Sequence, residues 1–545
     1  MHFLFRRALL PLALATCLVG RAPAQPAVWT AQYDQGRTAA NLSETILNTS
    51  NVNTSQFGLL FTRAVDGYIY AQPLYIPAVT INSVTSNVVY VATMNDSVYA
   101  FDADTPANST PLWHVNLGTA LEIGGFQIGI LSTPVIDTTS NTMYVVAMTV
   151  ENGVRMYYLH ALDITSGLEK FKGPVLIQGS VPGTAPDAVN GVLTFNGANL
   201  QQRPALGLFQ STVVIAFGTL QWMNPYHGWV MSYNAQTLKR EGILCTTPNG
   251  TKGGVWMSGG GIAADANGMY FIVGDGSTGQ MKDISSAFVR VQGTAIDYFI
   301  PANFNTLNQD DLDLNAGGPM LLPNTNLLVG GGKTGAMFVL NRTKLGGLVA
   351  GNTQVVQTWQ ATAGCGPQGN CDEIHHYTYW SQAPGQPRLY LWAWNETLNA
   401  YAFNGSTFNT TPVAQNAAVA NYPGGQLTLS ANGGTAGTGI VWAAMSTEPP
   451  ADQPVTGMLR AFDAVSLAEL WNSNMNPADN AGLLAKFCLP TVVNGKVYLA
   501  SFSNQLNVYG LKAPAASLKR GKLAKYRPSQ PPVGSGGFLS PGFKN

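Results

Sequence analysis

The stretch with the densest chemistry in this 545-residue chain is Asp310-Asp-Leu-Asp-Leu-Asn315. Its alternating oxygens can meet a hard cation, which takes several oxygen ligands. The run lacks the glycine and the terminal glutamate of an EF-hand loop, so that type of site is excluded. Asp313 is its candidate general base. The structural alternative is a turn whose amides are capped by aspartates. His375-His376 comes next. Neighbours on a strand point to opposite faces, so the pair cannot chelate one metal from a regular strand. His376 is taken as the member that serves as base or donor. Glu122, in Leu-Glu-Ile-Gly-Gly, is the candidate metal carboxylate. Cys365 and Cys371 with the two histidines form a possible zinc set, but their spacing fits no common zinc pattern. No Walker A, His-Glu-x-x-His or Gly-x-Ser-x-Gly motif occurs. The glycine triplets at 259–261 and 330–332 are flanked by strand patterns on both sides, which argues against a nucleotide cradle.

These side chains need a scaffold, and the composition narrows the choice. Charged residues make up 10 % of the chain against roughly 25 % in an ordinary soluble domain, and glycine numbers 59. Such a mixture is poor in helix formers and suits many short strands joined by tight turns. An apolar share of 46 % is enough for a large core and excludes a disordered chain. Zero net charge with no dominant basic patch argues against a nucleic-acid partner.

The strands recur as a unit. Val88 to Leu117 holds two apolar runs joined by an Asn95-Asp96 hairpin turn, then a third strand near Trp113. Equivalent units begin at Met143, Val213, Met269, Leu327, Leu389, Ile440 and Val497. A further short apolar strand precedes most of them, as at Ala71, Ser132, Gly317 and Cys488. Four strands repeated eight times predict an all-β, eight-bladed β-propeller of four-stranded blades. Seven blades with an extra hairpin is the alternative. The last unit ends at Leu511 without its fourth strand, and GLLFTRAV at Gly58 is a spare strand ahead of the first. It is expected to complete the last blade and close the ring, removing the open edges.

Ala100-Phe-Asp-Ala-Asp-Thr with Trp113, Ala161-Leu-Asp-Ile-Thr-Ser-Gly with Phe171, and Ala461-Phe-Asp-Ala-Val-Ser with Trp471 carry a resemblance. They resemble the repeat of the pyrroloquinoline-quinone (PQQ) propellers, the quinoprotein alcohol dehydrogenase-like superfamily, over about residues 50–511. The resemblance implies that Asp and Thr tie the turn and that the aromatic ring docks between blades. It also implies a possible extracellular oxidoreductase acting on an alcohol or sugar with PQQ and calcium. Such a site would take an Asp base, a Trp floor under the quinone, cations for its carboxylates and oxygen ligands for the calcium. The adjacent cysteine pair of the superfamily's alcohol dehydrogenases is absent here. The alternative function is a non-catalytic propeller that binds carbohydrate or a protein partner.

Ligands of propellers sit at the mouth of the central channel, so polar and aromatic residues on the innermost strands are the candidates. Asp313 and His376 are assigned to catalysis, Trp256, Gln72 and Lys486 to cofactor binding, and Glu122 to the metal. Ser132 belongs to the same set. The expected ligand is a small molecule or carbohydrate at the channel.

The first 24 residues resemble a secretory signal, with Arg6 and Arg7, an apolar stretch too short to span a membrane, and Ala22-Pro23-Ala24. Residues 25–512 are expected to be the propeller, and 513–545 a disordered tail rich in Lys, Arg, Pro and Gly. Cys365 and Cys371 enclose a turn-rich segment and are expected to pair, which leaves Cys245–Cys488 as the default remainder. Ten Asn-x-Ser/Thr sequons, among them Asn41 and Asn95, are compatible with a secreted glycoprotein. Sequencing the N-terminus of the exported protein is expected to give Gln25 as its first residue. A first residue at Met1 would contradict the processing.

Overall fold

In the computed structural model, described residues run through 26–220, 223–277, 283–365, 371–449 and 453–513. The expected signal and all but the first residue of the expected tail lie outside them. The strands form eight blades, each built on four antiparallel strands, and three of them gain a short fifth strand. The inner strands begin at Leu74, Val135, Gly207, Ala263, Met320, Tyr377, Gln426 and Thr491. Blade eight is completed by Phe57–Ala64, which pairs with Gln505–Leu511 from Phe57↔Leu511 to Ala64↔Gln505. The spare N-terminal strand therefore closes the ring as its sequence position demands. One short α-helix, Phe304–Gln309, occurs among the described residues, and none of their helices is long and apolar enough to cross a membrane.

The repeat motif has a plain physical role. The Asp102 carboxylate accepts from the amides of Asp104 and Thr105, and Asp163 accepts from Thr165. Asp463 does the same with Val465 and Ser466. Each aspartate thereby satisfies amides that a bare turn would leave open. The tied turn then presents a carbonyl to the preceding blade. The Trp113 indole donates to Ile164 O at 2.8 Å. Tyrosines of the second strands do the same: Tyr90 to Ile164, Tyr144 to Ala235, Tyr390 to Ala464 and, across the closure, Tyr498 to Ala103. Each is a buried hydroxyl spanning an otherwise apolar interface, which fixes the packing of one blade on the next.

The inner strands pose a separate problem, because their channel-facing edges carry unpaired backbone groups. Residues 28–44 thread the channel and meet every blade in turn. Val28 exchanges two hydrogen bonds with Tyr75, and Trp29 O accepts from Ile136. The Gln35 amide donates to Leu208 O, while Gln35 O accepts from Ala264. Gly36 O, Thr38 O and Ala39 O accept from Leu321, Tyr379 and Leu429. Asn41 donates to Val492 O in blade eight. At the centre lies Arg37, 1 % exposed, whose guanidinium bonds Ile262 O twice, Ala31 O and Thr30 Oγ1. A Cβ on Gly261 would come within 2.5 Å of that guanidinium, so the glycine makes the room. Nothing in the sequence reading anticipated this segment. It also buries Asn41, so that sequon is closed to modification in the folded protein.

Cys365 and Cys371 form a disulfide, as expected. Cys245 and Cys488 do not pair; each is a buried free thiol, one closing the outer strand of blade three and the other leading into blade eight. Their default pairing rested on elimination alone, and the two positions belong to different blades.

Arg37→Met would strand three buried acceptors, and breaking such a set costs about 3–5 kcal/mol. The midpoint of urea unfolding is expected to fall accordingly, with the slope unchanged. An unchanged midpoint would show that the channel segment does not hold the ring.

Candidate functional site

Because strands alternate in direction, the connections that lead into each inner strand emerge on the same face as the turns after each second strand. On that face lies a cavity of about 460 Å³. The sequence reading expected its lining on the inner strands. The lining comes instead from the entry connections of blades three to eight, together with the turns after second strands. The reason is the channel segment, which occupies the space between the inner strands and leaves open volume only above them.

Three of the expected site residues meet around this cavity: Trp256, Asp313 and Lys486. Trp256 precedes blade four. Its indole rests on glycine backbone: a Cβ at Gly218, Gly254 or Gly274 would come within 2.3–2.7 Å of the ring. Any other residue at these positions would push the indole into the cavity. The ring also meets Tyr226 edge-on at 6.1 Å.

The other four stand elsewhere. Gln72 is buried in the channel, with its side chain accepting from Gln32 N and donating to Thr491 Oγ1. Its oxygen is taken up by the threading segment and its amide by the inner strand of blade eight. Ser132 is buried as well and does not line the cavity. Glu122 lies exposed on a two-stranded hairpin, Leu121–Ile123 with Phe126–Ile128, away from the lining. His376 is behind the wall, its Nε2 facing Ser258 O at 3.0 Å, and burial pushes its pKa down to about 3. The member of the histidine pair that lines the cavity is His375.

One side of the cavity is acidic. Asp275, Asp311 and Asp313 offer oxygens that all lie within 4.8 Å of one another. Two ammonium groups partly balance them: Lys252 reaches Asp275 at 2.5 Å, and Lys333 reaches Asp313 at 2.8 Å and Asp311 at 3.2 Å. Three carboxylates against two lysines leave room for further positive charge. Burial raises the Asp313 pKa to about 6, opposed by Lys333 and reinforced by Asp275 and Asp311. Asn315 adds a neutral oxygen. Its amide donates to Gly254 O, while its buried Oδ1 has no hydrogen-bond partner among the described residues. That oxygen and Asp313 Oδ1 lie side by side against Gly274. Carboxylate, carboxamide and no soft donor is the ligand chemistry of a hard cation.

The other side is cationic and aromatic. Arg203 lies 4.9 Å over the Phe487 ring, and Lys486 lies 4.4 Å over Tyr422 and 4.8 Å over Phe487. Neither cation forms a salt bridge among the described residues, and Arg203 Nε is buried without a partner. Burial lowers the Lys486 pKa to about 8, helped by the Arg203 charge and opposed by Glu373. Two half-buried cations with no salt bridge among the described residues favour a bound anion beside them. The sequence reading missed Arg203, Lys252, Asp275, Lys333 and Glu373. Asp275 and Lys333 each follow a second strand, in Val-Gly-Asp and Gly-Gly-Lys, so their shared place in the repeat was an available signal. Arg203 had none.

No known family model matches the chain, and no curated protein matches it in sequence. Solved structures do match. A quinohemoprotein alcohol dehydrogenase from Comamonas testosteroni is 15 % identical with a TM-score of 0.54, covering 92 % of this chain and 83 % of that one. A quinohemoprotein alcohol dehydrogenase from Pseudomonas putida HK5 is 13 % identical with a TM-score of 0.52, covering 90 % and 81 %. The likeness at this identity is one of fold alone: the chain shares its eight-bladed propeller architecture with these two solved structures.

With a pKa of about 8, Lys486 is half unprotonated at pH 8 and is expected to be acylated ahead of the other lysines. Peptide mapping after limited labelling checks this. Arg203→Gln removes a neighbouring cation and is expected to slow the labelling of Lys486. Equal labelling in both proteins would contradict the electrostatics.

Proposed function

We propose that the protein is an exported quinoprotein oxidoreductase that binds PQQ and a divalent cation in this cavity and oxidises an alcohol or sugar. The observation that carries the reading is the placement of Trp256. Its glycine-backed indole floors a cavity with unpaired cations on one side and an oxygen-donor cluster on the other. That set fits a flat tricarboxylate with a metal at one edge. The volume lies within the roughly 300–1,000 Å³ of small-molecule cofactor pockets. The fold shared with the two quinohemoprotein alcohol dehydrogenases supports it.

When bound, the quinone supplies a two-electron acceptor for hydride. The chain's own residues do the rest. Trp256 gives the flat ring a stacking surface. Arg203 and Lys486 hold carboxylates, and their attraction is strengthened by burial. Asp275, Asp311 and Asn315 supply cation ligands. Asp313, ionised and steadied by Lys333, takes the hydroxyl proton of the substrate. The Trp256 ring and the aromatic wall of Tyr422 and Phe487 limit the water around these groups.

Titration of PQQ with calcium into the processed protein is expected to saturate at one equivalent, with dye reduction on addition of an alcohol or sugar. Trp256→Ala is expected to weaken binding by about three- to tenfold, the share of one aromatic stack. Asp313→Asn is expected to lower turnover by roughly 10²–10⁴. Affinity is expected to fall as pH rises through about 8, where Lys486 loses its charge. Absence of saturable binding at high micromolar PQQ overturns the reading and directs attention to carbohydrate binding.

A further inference from the structure

On the cavity wall near Lys333, Glu373 and His375 stand in an arrangement that the reaction above does not use. His375 Nε2 lies 3.1 Å from Glu373 Oε2. Its Nδ1 lies 2.9 Å from the carbonyl of Pro423. Both line the cavity, and His375 is only 5 % exposed. An imidazole with one N–H can satisfy one of these acceptors, and its lone pair then faces the other. Two acceptors at hydrogen-bond distance are both satisfied only when the ring carries two protons. The geometry therefore places one proton more on the pair than a neutral ring beside a carboxylate would hold.

We propose that Glu373 and His375 act together as a proton-donating group of the cavity, giving one proton to an oxygen of the bound ligand that gains negative charge. The inference rests on the oxidation reading for the identity of that oxygen. Oxidation of an alcohol sends a proton to Asp313 and a hydride to the acceptor. With an electron acceptor bound beside the pair, the Nε2···Oε2 bond would supply the proton that reduction of one of its oxygens calls for. The imidazole is left neutral and Glu373 ionised, and water restores the proton. Asp313 removes a proton from the substrate, and this pair returns one to the other reactant. Lys333 lies between them electrostatically, since both Asp313 and Glu373 act on its charge.

The surroundings make the proton transferable. Burial lowers the His375 pKa, against the raising pull of Glu373 and the Pro423 carbonyl. Lys486 also disfavours the charged ring. The remaining ionisable groups facing the pair are Lys333, which stabilises the Glu373 carboxylate, and the buried His376. Tyr422 and Phe487 pack on the ring at 5.6 and 5.0 Å and hold its plane. An imidazolium required by its contacts yet disfavoured by burial is a ready acid.

The test is nitrogen NMR of ¹⁵N-histidine-labelled processed protein, with His375→Gln to assign the signal among the few histidines of the chain. Both ring nitrogens of His375 are expected to be protonated in mild acid, with one proton lost as pH rises. Glu373→Gln is expected to move that loss to lower pH, because the carboxylate that holds the second proton is gone. In protein loaded with PQQ and calcium, His375→Gln is expected to cut dye reduction about a hundredfold. It should also abolish the fall in rate on the alkaline side, with KM little changed. A singly protonated ring throughout overturns the proposal, as does a rate and pH profile unchanged in His375→Gln. If the wild-type protein binds PQQ but turns nothing over, or binds none, the oxidation reading fails separately. The NMR titration then decides the acid by itself: a doubly protonated ring supports it and a singly protonated one rejects it.

Discussion

Eight blades set in a ring leave their innermost strand edges facing a shared channel, and those backbone groups must find partners. Here a single extended segment, residues 28–44, supplies them blade by blade, with the buried Arg37 guanidinium at its centre. The rest of the molecule follows from that solution. The channel becomes a packed core in which every blade's inner strand is hydrogen-bonded to the segment. Side chains that would otherwise face a pore, such as Gln72, are committed to the segment. Only the ends of the connections above it remain free to line a cavity.

The cavity in turn is organised by charge. Acidic oxygens gather where Asp275, Asp311 and Asp313 come from two neighbouring connections, and cations gather where Arg203 and Lys486 meet across the ring. Burial strengthens both fields, because a low-dielectric wall screens charges less than water does. Lys333 bonds two aspartates and keeps the acidic side from repelling itself apart. Arg203 and Lys486 have no salt-bridge partner among the described residues, so that side carries the cavity's positive field and the other its negative one. Trp256 lies between the two on a bed of glycine, positioned by packing and not by a charge.

The architecture was legible in the sequence because it repeats. Each blade repeats apolar alternation, a tight turn and an Asp-capped turn, and the missing fourth strand after Leu511 pointed to the spare one at Gly58. Trp256, Asp313 and Lys486 were legible because each precedes an inner strand and carries a chemistry-bearing side chain. The channel segment was not, since Trp29 to Glu44 has neither strand alternation nor a repeat partner; its partners are backbone groups from every blade. Arg203 and Glu373 lie in irregular connections whose course only the fold defines. His375 and His376 point opposite ways, as their spacing required, but spacing alone does not say which one meets the open space. The free thiols of Cys245 and Cys488 show the limit of pairing by elimination, since counting cysteines carries no distance.

The central claim is that one cavity holds a flat anion over Trp256 and a hard cation among the aspartates. Crystallography of the protein grown with PQQ and a lanthanide ion, a strong anomalous scatterer that can replace calcium, tests it most directly. The account predicts planar density stacked on Trp256, with carboxylates at Arg203 and Lys486. It also predicts an anomalous peak among Asp275, Asp311, Asp313 and Asn315. A Trp256 face bare at saturating PQQ, or a metal peak only at surface carboxylates, would contradict it.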